Sequence, residues 1–176
     1  KQFAKGGGVY GSDQMTEGFS GYLCELLVLH YGGFSALIEA AADWKPGTLI
    51  DLEVHRTKDF TEPLVVVDPV DGGRNVSAAV SLDRMYEFVE LARGYLENPS
   101  CLFFFPPKQP ACTREELVSR LKAKGTVLYA ISFATPPFIP DVVVPQLRRS
   151  MDSVRGLLER NGFAVHSAGC EMFEDR

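Results

Sequence analysis

Two lysines and a tyrosine surround a glycine turn at the start of the chain, in Lys1-Gln2-Phe3-Ala4-Lys5-Gly6-Gly7-Gly8-Val9-Tyr10-Gly11. Such a set could hold a triphosphate: lysine supplies a point charge, the phenol a hydroxyl donor, and glycine lets the backbone approach closely. It is not a P-loop, because the GxxxxGK[ST] order is absent; the alternative is a helix end with exposed lysines. A second candidate is Arg74 in Asp68-Pro69-Val70-Asp71-Gly72-Gly73-Arg74-Asn75-Val76, a turn-rich loop between a strand and a helix. An arginine on such a turn could stack on a base or fork its donors to base or phosphate acceptors. Otherwise the aspartates and Asn75 make turns and Arg74 is a solvated charge. A third is Gly18-Phe19-Ser20-Gly21-Tyr22, small residues at a helix start, where free backbone N–H groups favour an anion or Ser20 serves as N-cap. Glu25, inside the apolar run that follows, needs a partner and serves structure.

One combination misleads. Gly11-Ser12 and Asp51-Leu52-Glu53 contain the ingredients of a nucleotidyltransferase signature, a Gly-Ser turn and two carboxylates, but 38 residues separate them where about a dozen belong. Asp51 and Glu53 therefore read as same-face residues of a strand. No Ser/His/Asp or Cys/His constellation is visible, and the three histidines and four cysteines form no metal-ligand spacing. Cys24 and Cys101, set in apolar runs, read as small core hydrophobes. Catalytic residues and metal ligands are thus expected to be absent from this stretch.

The elements that position these residues follow from periodicity and punctuation. Tyr22 to Tyr31 reads as a buried helix, and Phe34 to Trp44 as a second one stopped ahead of Lys45-Pro46. Thr48 to Val54 and Leu64 to Val67 read as strands of a hairpin. Ser81 caps a helix whose Leu82, Met85, Val89, Ala92 and Leu96 share one face, stopped by Asn98-Pro99. Thr113-Arg114-Glu115-Glu116 is a capping box, and Gly125 ends its helix. Thr126 to Phe133 reads as a strand, Asp141 to Asn161 as a helix with Val144, Leu147, Met151, Val154 and Leu158 inside, and Phe163 onward as a further strand after Gly162. Strand, helix, strand is half of a ferredoxin-like α+β sandwich.

Two proline-rich stretches, Phe105 to Pro110 and Thr135 to Pro140, punctuate the chain, and a domain boundary is expected near 107. Residues 1–107 carry 8 basic against 15 acidic side chains, a net of −7, whereas 108–176 carry 10 against 8, a net of +2. The overall −5 argues against a general polyanion binder and makes the second part the better candidate for facing phosphate. With 45% hydrophobic and 23% charged residues among 176, the composition is globular; disorder, collagen and coiled coil are excluded. No apolar run approaches the roughly 18 residues of a membrane span. A chain that opens on Lys1 with no leader reads as mature protein or an excised piece, the excised piece being favoured, and the isolated cysteines point to a reducing compartment, the cytoplasm.

Together, KQFAKGGGVYG, GFSGYLCELLVLHYGGF, PLVVVDPVDGGRNVSAAVSLD and NPSCLFFFP, in this order, resemble the archaeal CCA-adding enzymes, the class I tRNA nucleotidyltransferases. The resemblance implies an α+β fragment. Residues 1–107 would be most of a mainly helical nucleotide-binding domain like that of poly(A) polymerases, and 108–176 the start of an α+β body domain that helps hold the tRNA acceptor end. It implies that Lys1 and Tyr10 contact the triphosphate of the incoming nucleotide, with Gly21 and Tyr22 near the same pocket. Arg74 would recognise the base of CTP or ATP alongside tRNA backbone phosphates. The catalytic head, which binds Mg2+ for two-metal nucleotidyl transfer, would lie before Lys1. The alternatives are the substrate-binding domain of another nucleotidyltransferase, such as a poly(A) polymerase, and a non-catalytic RNA-binding module. An unfinished body sheet would leave an open edge, so a homodimer is expected as one arrangement.

Overall fold

The computed structural model describes residues 1–108, 110, 112–134 and 139–172. Within these residues the chain divides into two compact units, Lys1–Pro106 and Pro107–Arg176. Thr135 to Phe138, at the heart of the second proline-rich stretch, and Gln109 in the first lie outside the described residues.

The first unit contains helices α1 (Gln2–Gly6), α2 (Gly21–Tyr31), α3 (Phe34–Ala41) and α4 (Leu82–Glu97), with strands β1 (Thr48–Ile50) and β2 (Leu64–Val66) between α3 and α4. Its core forms because each helix presents an apolar stripe. Leu23, Cys24, Leu26 and Leu27 of α2, Leu37, Ile38 and Ala41 of α3, and Met85, Phe88, Val89 and Ala92 of α4 bury together with Leu64 and Val66 of β2. Phe3 is the hub of the aromatic part: its ring lies 5.4 Å from Phe34, 5.9 Å from Phe88, 5.6 Å from Tyr95 and 5.5 Å from Phe104, all edge-on, the favoured geometry for ring quadrupoles. This anchors α1, and with it Lys1, although α1 spans only five residues and is too short to be stable alone.

Several expectations hold locally. Ser81 accepts from the Arg84 amide at the start of α4, and Asn98 follows its last residue. Leu82 and Leu96, at the two ends of the expected inner face, are exposed while Met85, Val89 and Ala92 are buried. Helix α2 is buried on one face only; Tyr22, Glu25 and Val28 to His30 face outward. Cys24 is buried, but Cys101 is exposed in the single 3-10 turn Cys101–Phe103, so only the first behaves as a core hydrophobe.

The expected hairpin is a correction. β1 and β2 pair in parallel, Thr48 with Leu64 and Ile50 with Val66. The connection, residues 51–63, has the length a parallel crossover requires and is far longer than a hairpin turn. The strand also ends early: the Asp51 carboxylate accepts the Arg56 amide at 2.9 Å and turns the chain, so Asp51 and Glu53 belong to a loop and not to one strand face. Burial alone would push the Asp51 carboxyl up, but the amides of Arg56 and His55 and the His55 side chain hold it below its ordinary value.

The second unit has α5 (Arg114–Lys124) and α6 (Pro140–Arg160). The capping box is present in both directions, Thr113 accepting from the Glu116 amide and Glu116 accepting from the Thr113 amide. Gly125 and Gly162 take positive φ, +62° and +85°, at the two helix ends. On α6, Val144 is buried and Leu147 and Met151 are half-buried, while Val154 and Leu158 are exposed. The expected strands at 126–133 and from Phe163 are not formed among the described residues; Val127, Tyr129, Ile131 and Phe133 are all exposed. Alternation supplies a strand with a face, but a strand exists only when a neighbouring backbone pairs with it, and none does here among the described residues. Among the described residues the ferredoxin-like half is therefore not formed, and their α+β character rests on the parallel pair in the first unit.

Candidate functional site

The N-terminal cluster is built by a short backbone ladder. After α1, Gly8 takes φ +73° and the chain reverses, with the Val9 amide donating to Ala4 at 3.0 Å. Phe19 then donates to Val9 at 2.8 Å and Gly11 donates to Phe19 at 2.9 Å, which fixes Tyr10 beside the entrance to α2. Gly18 is required here, since a Cβ would stand 2.0 Å from the Val9 carbonyl. Ser20 caps α2 by accepting from the Leu23 amide at 3.1 Å, and Gly21 is its first residue.

Lys1, Tyr10 and Gly21 consequently meet. A Cβ placed on Gly21 would lie 3.1 Å from the Tyr10 hydroxyl and 3.7 Å from the Lys1 ammonium nitrogen. The Tyr10 hydroxyl and the Lys1 ammonium thus lie beside the first turn of α2, where the helix dipole favours an anion. The Lys1 ammonium pairs with Glu25, the partner which that carboxylate needs, and hydrogen bonding to Glu25, followed by its charge, raises the Lys1 pKa above the ordinary 10.5. Lys5 lies over the Tyr10 ring, 4.9 Å from its centroid, adding a second positive charge beside the phenol.

Arg74 is held by the strand that precedes it. Beyond β2 the chain turns back on itself: Val76 donates to Val66 at 2.8 Å and Asp68 donates to Arg74 at 3.0 Å. Two buried side chains brace the base of this turn. The Asn75 amide oxygen accepts from Val66, and its nitrogen donates to Leu64; the Ser77 hydroxyl donates to Leu64 at 2.7 Å. At the tip, a Cβ on Gly72 would lie 2.2 Å from the His55 carbonyl, and Thr57 donates to Gly72 at 3.0 Å, so the 51–63 loop supports the turn from outside.

Sequence reasoning names Lys1, Tyr10, Gly21, Tyr22 and Arg74, and the structure arranges them as two sets. The first three converge at the start of α2. Tyr22 and Arg74 converge instead on Asp68: Tyr22 donates to Oδ1 at 3.5 Å, and the Arg74 Nη1 lies 3.3 Å from Oδ2. Gly21 and Tyr22 are neighbours in the chain, so α2 joins the sets. In the sequence alone Asp68 reads as a turn former only. Its signal was its place directly after the apolar run Leu64 to Val67, where a carboxylate is carried into the interior and must find partners. Among the described residues no group of three His, Cys, Asp or Glu side chains stands close enough together to hold a metal ion.

Residues 1–105 match the family described as tRNA nucleotidyltransferase, second domain, and residues 124–176 match the CCA-adding enzyme, C-terminal domain. The CCA-adding enzyme of Methanoregula boonei is 63% identical over 98% of this chain and 37% of its own length. Those of Methanosarcina acetivorans and Methanothermobacter thermautotrophicus are 44% and 48% identical over 96% of the chain and 37% of theirs. The chain thus spans little more than a third of the curated relatives it matches. With the first match covering more than half of its residues, this chain belongs to the tRNA nucleotidyltransferase family and resembles the archaeal CCA-adding enzymes along nearly its whole length.

Proposed function

We propose that this chain is the nucleotide-selecting part of an enzyme that adds CCA to tRNA 3′ ends from CTP and ATP without a nucleic-acid template. The observation that carries this reading is the convergence of Lys1, Tyr10 and Gly21 at the start of α2, with Arg74 on a braced turn linked to the same helix through Asp68 and Tyr22. In this reading the ammonium, the phenol and the first amides of α2 take the triphosphate, which every nucleotide shares. Arg74 faces the base and offers donors to the ring nitrogen of C or A, beside the exocyclic amine that those two bases have and that U and G replace with oxygen.

The tRNA acceptor end is the second substrate, and residues from 107 onward, with their excess of basic side chains, are its closest neighbour in charge. Mg2+ would be held by the catalytic head, since no group of three His, Cys, Asp or Glu side chains among the described residues could ligate it. No single helix among the described residues is long and apolar enough to cross a membrane. The cytoplasm, where tRNA matures and thiols stay reduced, is the compartment consistent with four unpaired cysteines.

The reading is tested in the intact protein by replacing Lys1 with Ala and following CTP and ATP incorporation separately. Loss of one charge-assisted contact to phosphate, worth about 1.5 to 3 kcal/mol, raises KM about tenfold to a hundredfold, and equally for the two nucleotides. A rise confined to one nucleotide would remove Lys1 from the triphosphate. Self-association through the unpaired 126–133 segment is a separate expectation, read from the molar mass of this chain over a dilution series; a constant monomer mass would sink it.

A further inference from the structure

Asp68 is among the few buried charged side chains of the first unit, 4% exposed, and its partners come from two different elements. One oxygen accepts the Val70 amide at 2.9 Å and faces the Tyr22 hydroxyl of α2 at 3.5 Å; the other faces the Arg74 guanidinium at 3.3 Å. Arg74 itself is 65% exposed at its side chain. A long side chain in solvent samples many rotamers, and a cation free to do so reads nothing. A carboxylate fixed in the interior restricts that freedom by pairing with Nη1. It is also too deeply set to touch a base, so its effect must pass through Arg74.

The geometry assigns to Asp68 the role of a positioning residue that aims Arg74 and thereby sets nucleotide selectivity. This rests on the reading that Arg74 faces the base. A guanidinium carries five N–H donors in a rigid plane, so an ion pair at Nη1 narrows where the group can sit while the remaining donors stay available for presentation. The Tyr22 hydroxyl is the second anchor: bound to Oδ1, it keeps the carboxylate from rotating, and it ties the base-facing turn to the helix whose first residue, Gly21, lies against Tyr10 and Lys1. The phosphate-holding and base-facing sets are thereby registered to one another by a single buried carboxylate. The Asn75 and Ser77 braces hold the backbone of the turn, but neither touches the guanidinium; Asp68 alone of these three controls where the side chain points.

The test uses the intact protein and tRNA lacking its terminal CCA, and measures kcat/KM for CTP against UTP in wild type, Asp68→Asn, Arg74→Ala and the double variant. Inorganic tripolyphosphate, which has no base, is titrated as an inhibitor of each. Asp68→Asn is expected to lower the preference for CTP about tenfold, as loss of one base-reading contact does. The double variant is expected to be no worse than Arg74→Ala, and tripolyphosphate inhibition to stay within twofold of wild type. A preference retained in Asp68→Asn but lost in Arg74→Ala overturns the positioning role and leaves the base-facing reading standing. A preference retained in Arg74→Ala overturns that reading and the inference with it. Additive losses in the double variant, or weakened tripolyphosphate inhibition, also overturn the inference, because they show Asp68 acting on something other than Arg74. Should Asp68→Asn fail to fold, Tyr22→Phe decides alone: a severalfold fall in preference supports the role, and an unchanged preference overturns it.

Discussion

At Gly21 an absent side chain matters more than any side chain present. Its amide opens α2, and the space a Cβ would fill lies 3.1 Å from the Tyr10 hydroxyl, tighter than ordinary contact. Alanine is better than glycine inside a helix by up to about 1 kcal/mol, so Gly21→Ala should leave the melting temperature unchanged or raise it. The same methyl pushes the phenol away from its place beside the Lys1 ammonium. The expected outcome is a stable protein with nucleotide affinity lowered about tenfold, checked by calorimetry and by nucleotide titration of the intact enzyme. Unchanged affinity would mean that nothing binds between Tyr10 and α2. Lys1 adds a pH test. Its pKa lies above 10.5 through hydrogen bonding to, and the charge of, Glu25, so the ammonium and its pairing are fully present below that value and are lost only as pH rises through the raised one. Nucleotide affinity should therefore carry no Lys1 titration between pH 6 and pH 9.

Among elements, the braced turn after β2 is the one on which the site depends. Ser77 is fully buried, and its hydroxyl donates to the Leu64 carbonyl and meets the Asn75 side chain at 2.7 Å in each case. Ser77→Ala leaves buried groups short of a partner and should cost about 1 to 3 kcal/mol in denaturant unfolding, with the slope unchanged. A loss below about 0.5 kcal/mol would show that the brace is dispensable. Asp13 makes a smaller, pH-dependent contribution: the Thr16 side chain and the Met15 and Thr16 amides donate to it and hold its carboxyl below 3.8. Its stabilisation is present above the ordinary carboxylate value and disappears as pH falls through the lowered one, so Asp13→Asn should flatten the acid side of the melting-temperature profile. Elements whose signals are local were legible in the sequence: the Ser20, Ser81 and Thr113 caps, the glycine stops at 125 and 162, and the buried stripe of Met85, Val89 and Ala92. Pairing was not. Nothing in Thr48 to Val54 says whether its partner runs parallel, and the decisive feature, Asp51 turning the chain onto Arg56, is a tertiary use of a residue that alternation places on a strand. The candidate site was legible as separate motifs; their junction at Asp68 was not, because Tyr22 and Asp68 stand 46 residues apart.

For the whole molecule, the two units differ in how much core they contain. Among the described residues, the buried hydrophobic ones lie within 1–106 apart from Val143 and Val144, whereas every residue from 127 to 133 faces solvent. Amide exchange in this chain should accordingly be slow through α2, α4 and β2 and fast through 126–133, and slow exchange in the latter would show that the segment finds a partner. Thiol reagents should likewise spare Cys24, whose pKa burial raises, and label Cys101 and Cys112. Selection of the incoming nucleotide by this chain, as proposed, is read from template-free incorporation of labelled CTP and ATP into tRNA lacking its CCA end, using the intact protein with and without Arg74→Ala. The expected outcome is C, C and then A with the wild type, and failed or unselective addition with the variant. Normal C, C, A addition by Arg74→Ala would contradict the assignment of base choice to this turn, and no addition by the wild type would contradict the proposed function itself.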